Sequence, residues 1–333
     1  DVLIFDIDVE NSGDFYKAFL GIYQALRERN GVSPIRKCMF LVGNVFKAIE
    51  EDVGNAMLTG LQCLVKTMNQ EFPGIDFCLI DIDKPSRANF PQLISCEAQC
   101  EVREPLIVYR NSKRLVCYLR RDNKNIRQDI TLKKNGFYVI VGGLGGVGRL
   151  LVKSLGDELG IRFLILGRKA SDLVKHDIDE LARHGLSCAY EPICDDSTFD
   201  LATVVARYEN SWSCVLSGVF HLGGSFPQIL LQDECGEAMY EFINQKIALL
   251  ESIKSLLKNR TNSSFIGFSS VNSFFGGVSS ARYAAANQVF ESEVKNIFGD
   301  SKISYTCLSW SMWRDAGMGQ RYEFKELARN KGF

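Results

Sequence analysis

Phe137-Tyr138-Val139-Ile140-Val141-Gly142-Gly143-Leu144-Gly145-Gly146-Val147-Gly148 is the stretch that decides the fold of this chain. An unbroken apolar run, Phe137 to Val141, predicts a buried strand, and Val147 to Leu159 predicts the helix that follows. Between them stands a turn in which Gly142, Gly145, Gly146 and Gly148 carry no side chain. Such a turn lets backbone approach a pyrophosphate, whose charge then lies against the N-terminus of the helix. The plain alternative is a tight strand-to-helix connection that uses glycine for its geometry alone.

Outward from this turn the same alternation continues. Arg162 to Leu166, Cys214 to His221 and Ser264 to Phe268 read as further strands separated by helices. Apolar strands of this kind predict a parallel sheet covered on both faces, an α/β fold. The second strand ends in Leu166-Gly167-Arg168-Lys169, with no carboxylate to take a ribose 2′-hydroxyl. Arg168 instead offers a guanidinium suited to a 2′-phosphate, which points to NADPH. A solvated basic pair after a strand is the other reading. Cys194-Asp195-Asp196 closes the third strand region, and Asp195 could accept from an adenine amino group or simply stand at a strand end.

The first 130 residues repeat the strand and helix alternation with Val2 to Phe5, Lys37 to Val42 and Ile75 to Asp81 as strands. Helices are expected from Phe15 to Arg29 and from about Asn55 to Glu71. Pro105 to Arg110, Asn111-Ser112-Lys113 and Arg114 to Leu119 read as a hairpin. After the first strand stands Asp8-Val9-Glu10-Asn11-Ser12-Gly13 instead of a glycine fingerprint, so this half is expected to bind no nucleotide. The polar stretch Arg120 to Lys134 marks the boundary, giving domains of 1–130 and 131–333.

A formal net charge of −1 supplies no field that would draw the chain to nucleic acid or an anionic membrane. No apolar run reaches the roughly 18 residues a membrane helix needs. Eleven cysteines without a Cys-x-x-Cys pair, several of them inside apolar runs, predict reduced thiols and a cytoplasmic setting. Three histidines with no metal-ligand spacing to cysteine predict no metal site. The opening Asp1-Val2-Leu3-Ile4-Phe5, with neither initiator methionine nor leader pattern, predicts a segment of a longer polypeptide.

Downstream, Ser269-Ser270-Val271 and Arg282-Tyr283-Ala284-Ala285-Ala286-Asn287 place a hydroxyl and a phenol 13 residues apart (283 − 270). A carboxamide lies one helical turn beyond the phenol (287 − 283 = 4). A phenol on a helix, met by a serine at a strand end, can protonate a carbonyl oxygen while hydride arrives from a cofactor. Each residue alone has a bland reading: Ser270 as a helix cap, Tyr283 as half-buried packing, Lys246 on a solvated face, Asn287 as a polar helix residue.

Taken together the pattern resembles the ketoreductase domains of modular polyketide synthases, within the short-chain dehydrogenase/reductase superfamily. The matching passages are Gly218-Val219-Phe220-His221-Leu222-Gly223-Gly224, Phe268-Ser269-Ser270-Val271, Tyr283-Ala284-Ala285-Ala286-Asn287 and Ser309-Trp310-Ser311-Met312-Trp313. Asn287 stands where most short-chain dehydrogenases carry lysine, and Lys246 lies 24 residues before Ser270 (270 − 246), an exchange specific to that family. Leu61 to Lys66 through Ile80 to Asp83 is similar to the family's truncated, cofactor-free structural subdomain. The resemblance therefore implies two Rossmann-like subdomains, the second a doubly wound parallel sheet that binds NADPH and is catalytic.

By position, the resemblance makes Tyr283 the proton donor and Ser270 a hydrogen-bond donor to the substrate carbonyl. Lys246 would favour the phenolate by its adjacent charge, and Asn287 would help hold the arrangement. Cofactor contacts would come from Gly142, Gly145, Gly146, Val147, Gly148, Arg168, Asp195, His221 and Gly223, with Tyr283 and Lys246. The implied substrate is a ketone, usually a β-ketone, in an acyl thioester on a carrier protein, with neighbouring synthase domains in the same polypeptide. Phe274, Phe275, Met312, Trp313 and Met318 are candidates for acyl contacts and equally for core.

Some positions depart from the family. Val141 replaces a frequent threonine. Phe226-Pro227-Gln228 stands where one stereochemical group carries Leu-Asp-Asp, and Phe275 where the other carries tryptophan, leaving product configuration open. The chain ends at Phe333 where relatives continue with a helix and a strand, so truncation of the second sheet is expected. A catalytically silent scaffold and a free-standing dehydrogenase for small ketones remain as alternative readings.

Overall fold

The computed structural model describes residues 1–7, 11–28, 35–120, 131–193, 199–260, 262–313 and 317. Asp195 and Met318 lie outside the described residues.

The first sheet is built from β1 (Val2–Asp6), β2 (Lys37–Val42), β3 (Asp76–Ile82), β4 (Leu106–Arg110) and β5 (Lys113–Val116), in that spatial order. β1 to β4 are parallel, and β5 returns antiparallel to β4. Helices α1 (Ser12–Glu28), α2 (Leu61–Glu71), α3 (Lys84–Arg87) and α4 (Phe90–Gln99) connect the parallel strands. β2, β3 and β4 are buried along their whole length, which is why they read as nearly continuous apolar runs. The pleat sends Phe40 and Val42 to a face packed with Phe19 and Tyr23 of α1 and Leu64 of α2. It sends Met39 and Leu41 to the opposite face, against Ile94 of α4. A fully buried phenylalanine such as Phe40 contributes about 1.5–3 kcal/mol relative to exposure.

The expected hairpin forms with a shorter loop. Asn111 and Ser112 both take positive φ, 50° and 61°, the handedness that matches twisted strands, and Lys113 already pairs with Arg110. The helix expected from Asn55 is interrupted. A single 3₁₀ turn, Ala56–Leu58, is capped by the Asn55 side chain accepting from Met57 N at 3.1 Å, and α2 starts only after Gly60. A Cβ at Gly60 would lie 2.5 Å from the Tyr16 hydroxyl and 3.0 Å from Ala285 Cβ, so close packing sets the break. The helices α3 and α4, between β3 and β4, were not anticipated.

The carboxyl ends of β2, β3 and β4 enclose an ionic cluster. The Arg110 guanidinium bonds Asp81 at 2.6 Å and Asp52 at 2.8 Å, with its side chain 1% exposed. Asp81 also accepts from the amides of Val45 (3.0 Å) and Phe46 (2.9 Å) in the loop after β2.

The second sheet contains β6 (Phe137–Val141), β7 (Arg162–Gly167), β8 (Cys188–Pro192), β9 (Leu216–His221), β10 (Ser264–Ser270) and β11 (Ser304–Trp310). Its order is β11-β10-β9-β6-β7-β8, with every pair parallel. The chain winds from β6 outward to β8, then returns to the other side of β6 with β9. That reversal is the switch point at which open α/β sheets bind ligands. Helices α5 (Gly146–Leu159), α6 (Ser171–Arg183), α7 (Leu201–Trp212), α8 (Gly236–Ile247), α9 (Leu250–Leu257), α10 (Asn272–Phe275) and α11 (Ala281–Phe298) are the remaining α-helices among the described residues. Tyr138, Ile140, Phe163, Ile165, Phe220 and Ile266 form its core with Val152 of α5.

The first sheet ends with β5 at Val116 and the second begins with β6 at Phe137, but compact packing does not follow the chain. One unit gathers Asp1–Asn125, Phe226–Ile247 and Val271–Glu293; the other gathers Ile126–Ser225, Ala248–Ser270 and Val294–Phe333. In the first unit α8 lies so close to α1 that a Cβ at Gly236 would be 2.7 Å from Lys17 Cα. Ala284, Ala285, Ala286 and Val289 of α11 share a core with Leu61, Leu64, Met239 and Ile243. Among the described residues every cysteine is a free thiol, and no helix is long and apolar enough to cross a membrane.

Candidate active site

In the second unit, the predicted glycine turn, Arg168, His221 and Gly223 stand at the carboxyl ends of β6, β7 and β9. Gly142 has φ of +82°, and a Cβ there would approach Gly223 N to 3.0 Å across the switch point. A Cβ at Gly148 would be 2.6 Å from Gly142 O and 2.7 Å from the backbone of Gly143. Side chains at either position are therefore excluded by backbone. Gly145 N donates to Gly142 O at 3.1 Å, closing the turn, and Gly142 N donates to Leu166 O at 2.9 Å, fixing it to β7. Gly145 caps α5 through its backbone, with no side-chain cap hydrogen bond. The first-turn amides, Val147 included, thus keep their donors for a ligand or solvent.

His221, buried at the end of β9, is the register partner of Val141. Arg168 is exposed directly after β7. Its turn is pinned from β8: the Tyr190 hydroxyl donates to Lys169 O at 2.6 Å, and a Cβ at Gly167 would meet that phenol at 2.9 Å. Ser270 is the last residue of β10 and is 7% exposed. Met312 is exposed beyond β11, whereas Trp313 is half-buried against Trp310 and the core.

The first unit holds Lys246, Tyr283 and Asn287. Positions 283, 287 and 290 of α11 recur at i, i+4 and i+7, one face of the helix. The Asn287 carboxamide donates to Tyr283 O at 2.9 Å, bonding back one turn. Lys246, in the last turn of α8 and 8% exposed, sets its ammonium 4.5 Å from the centre of the Phe290 ring. Tyr283 and Asn287 thus share one face of α11, and Lys246 reaches that face at Phe290. Phe275, which the sequence left between substrate contact and core, is exposed.

Two neighbours of Tyr283 escaped the sequence reading as site residues. The Phe226 ring meets the Tyr283 ring at 4.7 Å, inclined 64°, an edge-to-face contact. Next to Tyr283, Arg282 Nε donates to Glu234 Oε2 at 3.0 Å, with the Glu234 side chain 1% exposed. In the sequence Phe226 stands out only as a departure from a family marker, because no spacing rule links it to a tyrosine so distant in sequence.

A family model described as the KR domain matches residues 136–315. The chain is 26% identical over 272 residues to the polyketide synthase PksL of Bacillus subtilis (strain 168), covering 79% of this chain and 6% of that protein. It is 28% identical over 272 residues to the polyketide synthase GfsA of Streptomyces halstedii, covering 80% of this chain and 3% of that protein. The chain thus spans only a small part of those relatives. Among solved structures, a ketoreductase domain from the bacillaene assembly line superposes with TM-score 0.74 at 20% identity, covering 99% of this chain and 85% of that one. The first ketoreductase of the tylosin PKS superposes with TM-score 0.74 at 19% identity, covering 98% and 70% respectively. At such identity the structural likeness bears on the fold.

Proposed function

This chain belongs to the KR-domain family, and we propose that it reduces the ketone, above all the β-ketone, of an acyl thioester carried on a carrier protein, using NADPH. The glycine cradle carries this reading. At Gly142 and Gly148 backbone stands within 3.0 Å of where a Cβ would be, at the switch point of the sheet, and the amides that follow have no side-chain cap. The donor set fits a dinucleotide pyrophosphate. Arg168, exposed on its pinned turn, supports a 2′-phosphate and therefore NADPH over NADH. When bound, the reduced nicotinamide supplies the hydride.

This chain's side chains then handle the proton and the charge on oxygen. Tyr283 passes its phenolic proton to the carbonyl oxygen as that oxygen gains charge, so that C=O becomes CH–OH. Ser270 donates a hydrogen bond to the same oxygen, a bond that strengthens as the alkoxide develops. Lys246 favours the phenolate left behind, since a nearby cation stabilises the ionised form. Asn287, bonded to Tyr283 O, keeps the helical turn that carries the phenol. The exposed Phe275 and Met312 suit an acyl chain. The polypeptide would act within a larger synthase, beside domains that deliver and remove the thioester.

The test is NADPH consumption with a β-ketoacyl thioester mimic, wild type against Tyr283→Phe. Loss of the general acid should lower kcat by about 10²–10⁴-fold while leaving cofactor affinity intact. Full turnover by Tyr283→Phe would remove the phenol from its role. A wild type that binds NADPH yet consumes none would leave a scaffold in place of an enzyme.

A further inference from the structure

α2 belongs to the half in which the sequence predicts no cofactor, yet one of its faces is turned to the segment that leads into the catalytic helix. Cys63, Lys66, Thr67, Gln70 and Glu71 recur at i, i+3, i+4, i+7 and i+8, one stripe of the helix. Each side chain bonds to main chain between residues 273 and 279. The Cys63 thiol, which burial pushes up to about 12 and so keeps protonated, donates to Ser273 O at 3.0 Å. Lys66 donates to Phe274 O, and its ammonium stands 4.0 Å from the centre of the Phe274 ring. Gln70 donates to Phe275 O at 2.8 Å. Gly277 N donates to Thr67 Oγ1 at 3.2 Å. Ser279 N donates to Glu71 Oε1 at 2.9 Å. Gly276, at φ of +67°, lies so flat on the helix that a Cβ would meet Thr67 Oγ1 at 3.0 Å and Cys63 O at 3.2 Å.

Because the partners are main-chain groups, α2 fixes the path of this segment independently of the side chains the segment carries. Glu71 reaches a second segment as well. Its Oε2 accepts from Leu231 N at 2.9 Å, and Ile229 N donates to Ser279 O at 3.1 Å. One half-buried carboxylate thus clips together the segment that leads into α11 and the segment that carries Phe226, whose ring stands against Tyr283. At the other end of α2, Gly60 abuts Ala285, midway between Tyr283 and Asn287: a Cβ at Gly60 would meet Ala285 O at 3.2 Å.

We propose that Glu71 is a positioning residue of the reduction: by holding Leu231 and Ser279 together it seats Phe226 against Tyr283 and so fixes the direction from which the phenol meets the carbonyl. The inference rests on the reading of Tyr283 as proton donor. Glu71 touches no reacting atom; it acts through two backbone amides and one ring.

The experiment compares wild type, Glu71→Gln and Glu71→Asp with NADPH and a racemic 2-methyl-3-ketoacyl pantetheine thioester. Read-outs are kcat and KM separately, the diastereomer ratio of the alcohol, NADPH affinity and the urea midpoint. Glu71→Gln keeps the shape but presents an NH₂ to one of the two amides. It should lower kcat by about tenfold or more through misplacement of the reacting groups. It should also change the diastereomer ratio while NADPH affinity stays at the wild-type value, and Glu71→Asp, which keeps both acceptors, should recover part of kcat. Wild-type kcat and diastereomer ratio in a folded Glu71→Gln overturn the inference and leave the proposed reaction standing. An inert wild type overturns both. If Glu71→Gln does not fold, Glu71→Asp, which keeps both acceptors on a shorter arm, decides the matter. A shifted diastereomer ratio at unchanged NADPH affinity then supports Glu71 as the positioning residue, and wild-type kcat and ratio reject it.

Discussion

At the carboxyl end of the first sheet, the amides of Val45 and Phe46 point to a carboxylate that the chain itself provides, Asp81, and Arg110 neutralises that carboxylate from behind. At the carboxyl end of the second sheet, the glycine turn leads into α5 with no side-chain cap, and backbone crowds the positions where a Cβ would sit. Both ends present backbone donors after a parallel strand. One has its anion built in; the other has the form of a receptor for one. Strand order accounts for the difference. The order β1-β2-β3-β4-β5 advances without reversal, whereas the second sheet reverses beside β6 and opens a crevice between neighbouring connections. A Rossmann-like sequence pattern therefore signals a fold, and a nucleotide site needs the reversal and an unfilled donor set as well.

The contrast can be broken at either end. The largest effect is expected from Asp81→Asn in the first sheet. It leaves the buried Arg110 guanidinium, which is 1% exposed, with Asp52 as its remaining carboxylate. Removing one partner of such a pair costs about 3–5 kcal/mol, to be read as a lowered urea midpoint. NADPH affinity, measured where the variant is folded, should remain at the wild-type value, because the self-supplied anion serves stability alone. A smaller but complementary effect is expected at the other end. Gly148→Val places a side chain 2.6 Å from Gly142 O, and the turn must move. NADPH affinity should fall by about 100-fold, equivalent to roughly 2.7 kcal/mol, with a lesser loss of stability. If Gly148→Val bound NADPH normally, the glycines would be serving the turn and not a ligand.

The two ends also differ in how much of them the sequence discloses. The second is written locally: an apolar strand, a glycine-rich turn and a helix follow one another within 137–159, so periodicity and turn chemistry suffice. The tetrad positions are read by resemblance alone; Tyr283 and Asn287 fall on one face of α11, and Lys246 of α8 reaches that face at Phe290. The first end is written in fragments. Asp52, Asp81 and Arg110 come from a loop and two strands, and nothing local to any of them announces the other two. The break at Gly60 escaped notice because its cause is Tyr16 and Ala285, the latter 225 residues away (285 − 60). α4 was missed for a local reason. It is short, it opens with Phe90-Pro91, and only Ile94 and Glu97 are buried, so its helical period is faint. The polar stripe of α2 is visible in the sequence as a period, but its partners lie about 200 residues downstream, and a period alone reads as a solvated face.

The most direct test of the central claim, that the second sheet's carboxyl end receives the cofactor and the first sheet's end is already filled, is hydrogen exchange of the whole chain with and without saturating NADPH. Peptides spanning residues 142–149 should become protected while those spanning 43–52 exchange unchanged. Protection of 43–52, or none at 142–149 with NADPH bound, would contradict it.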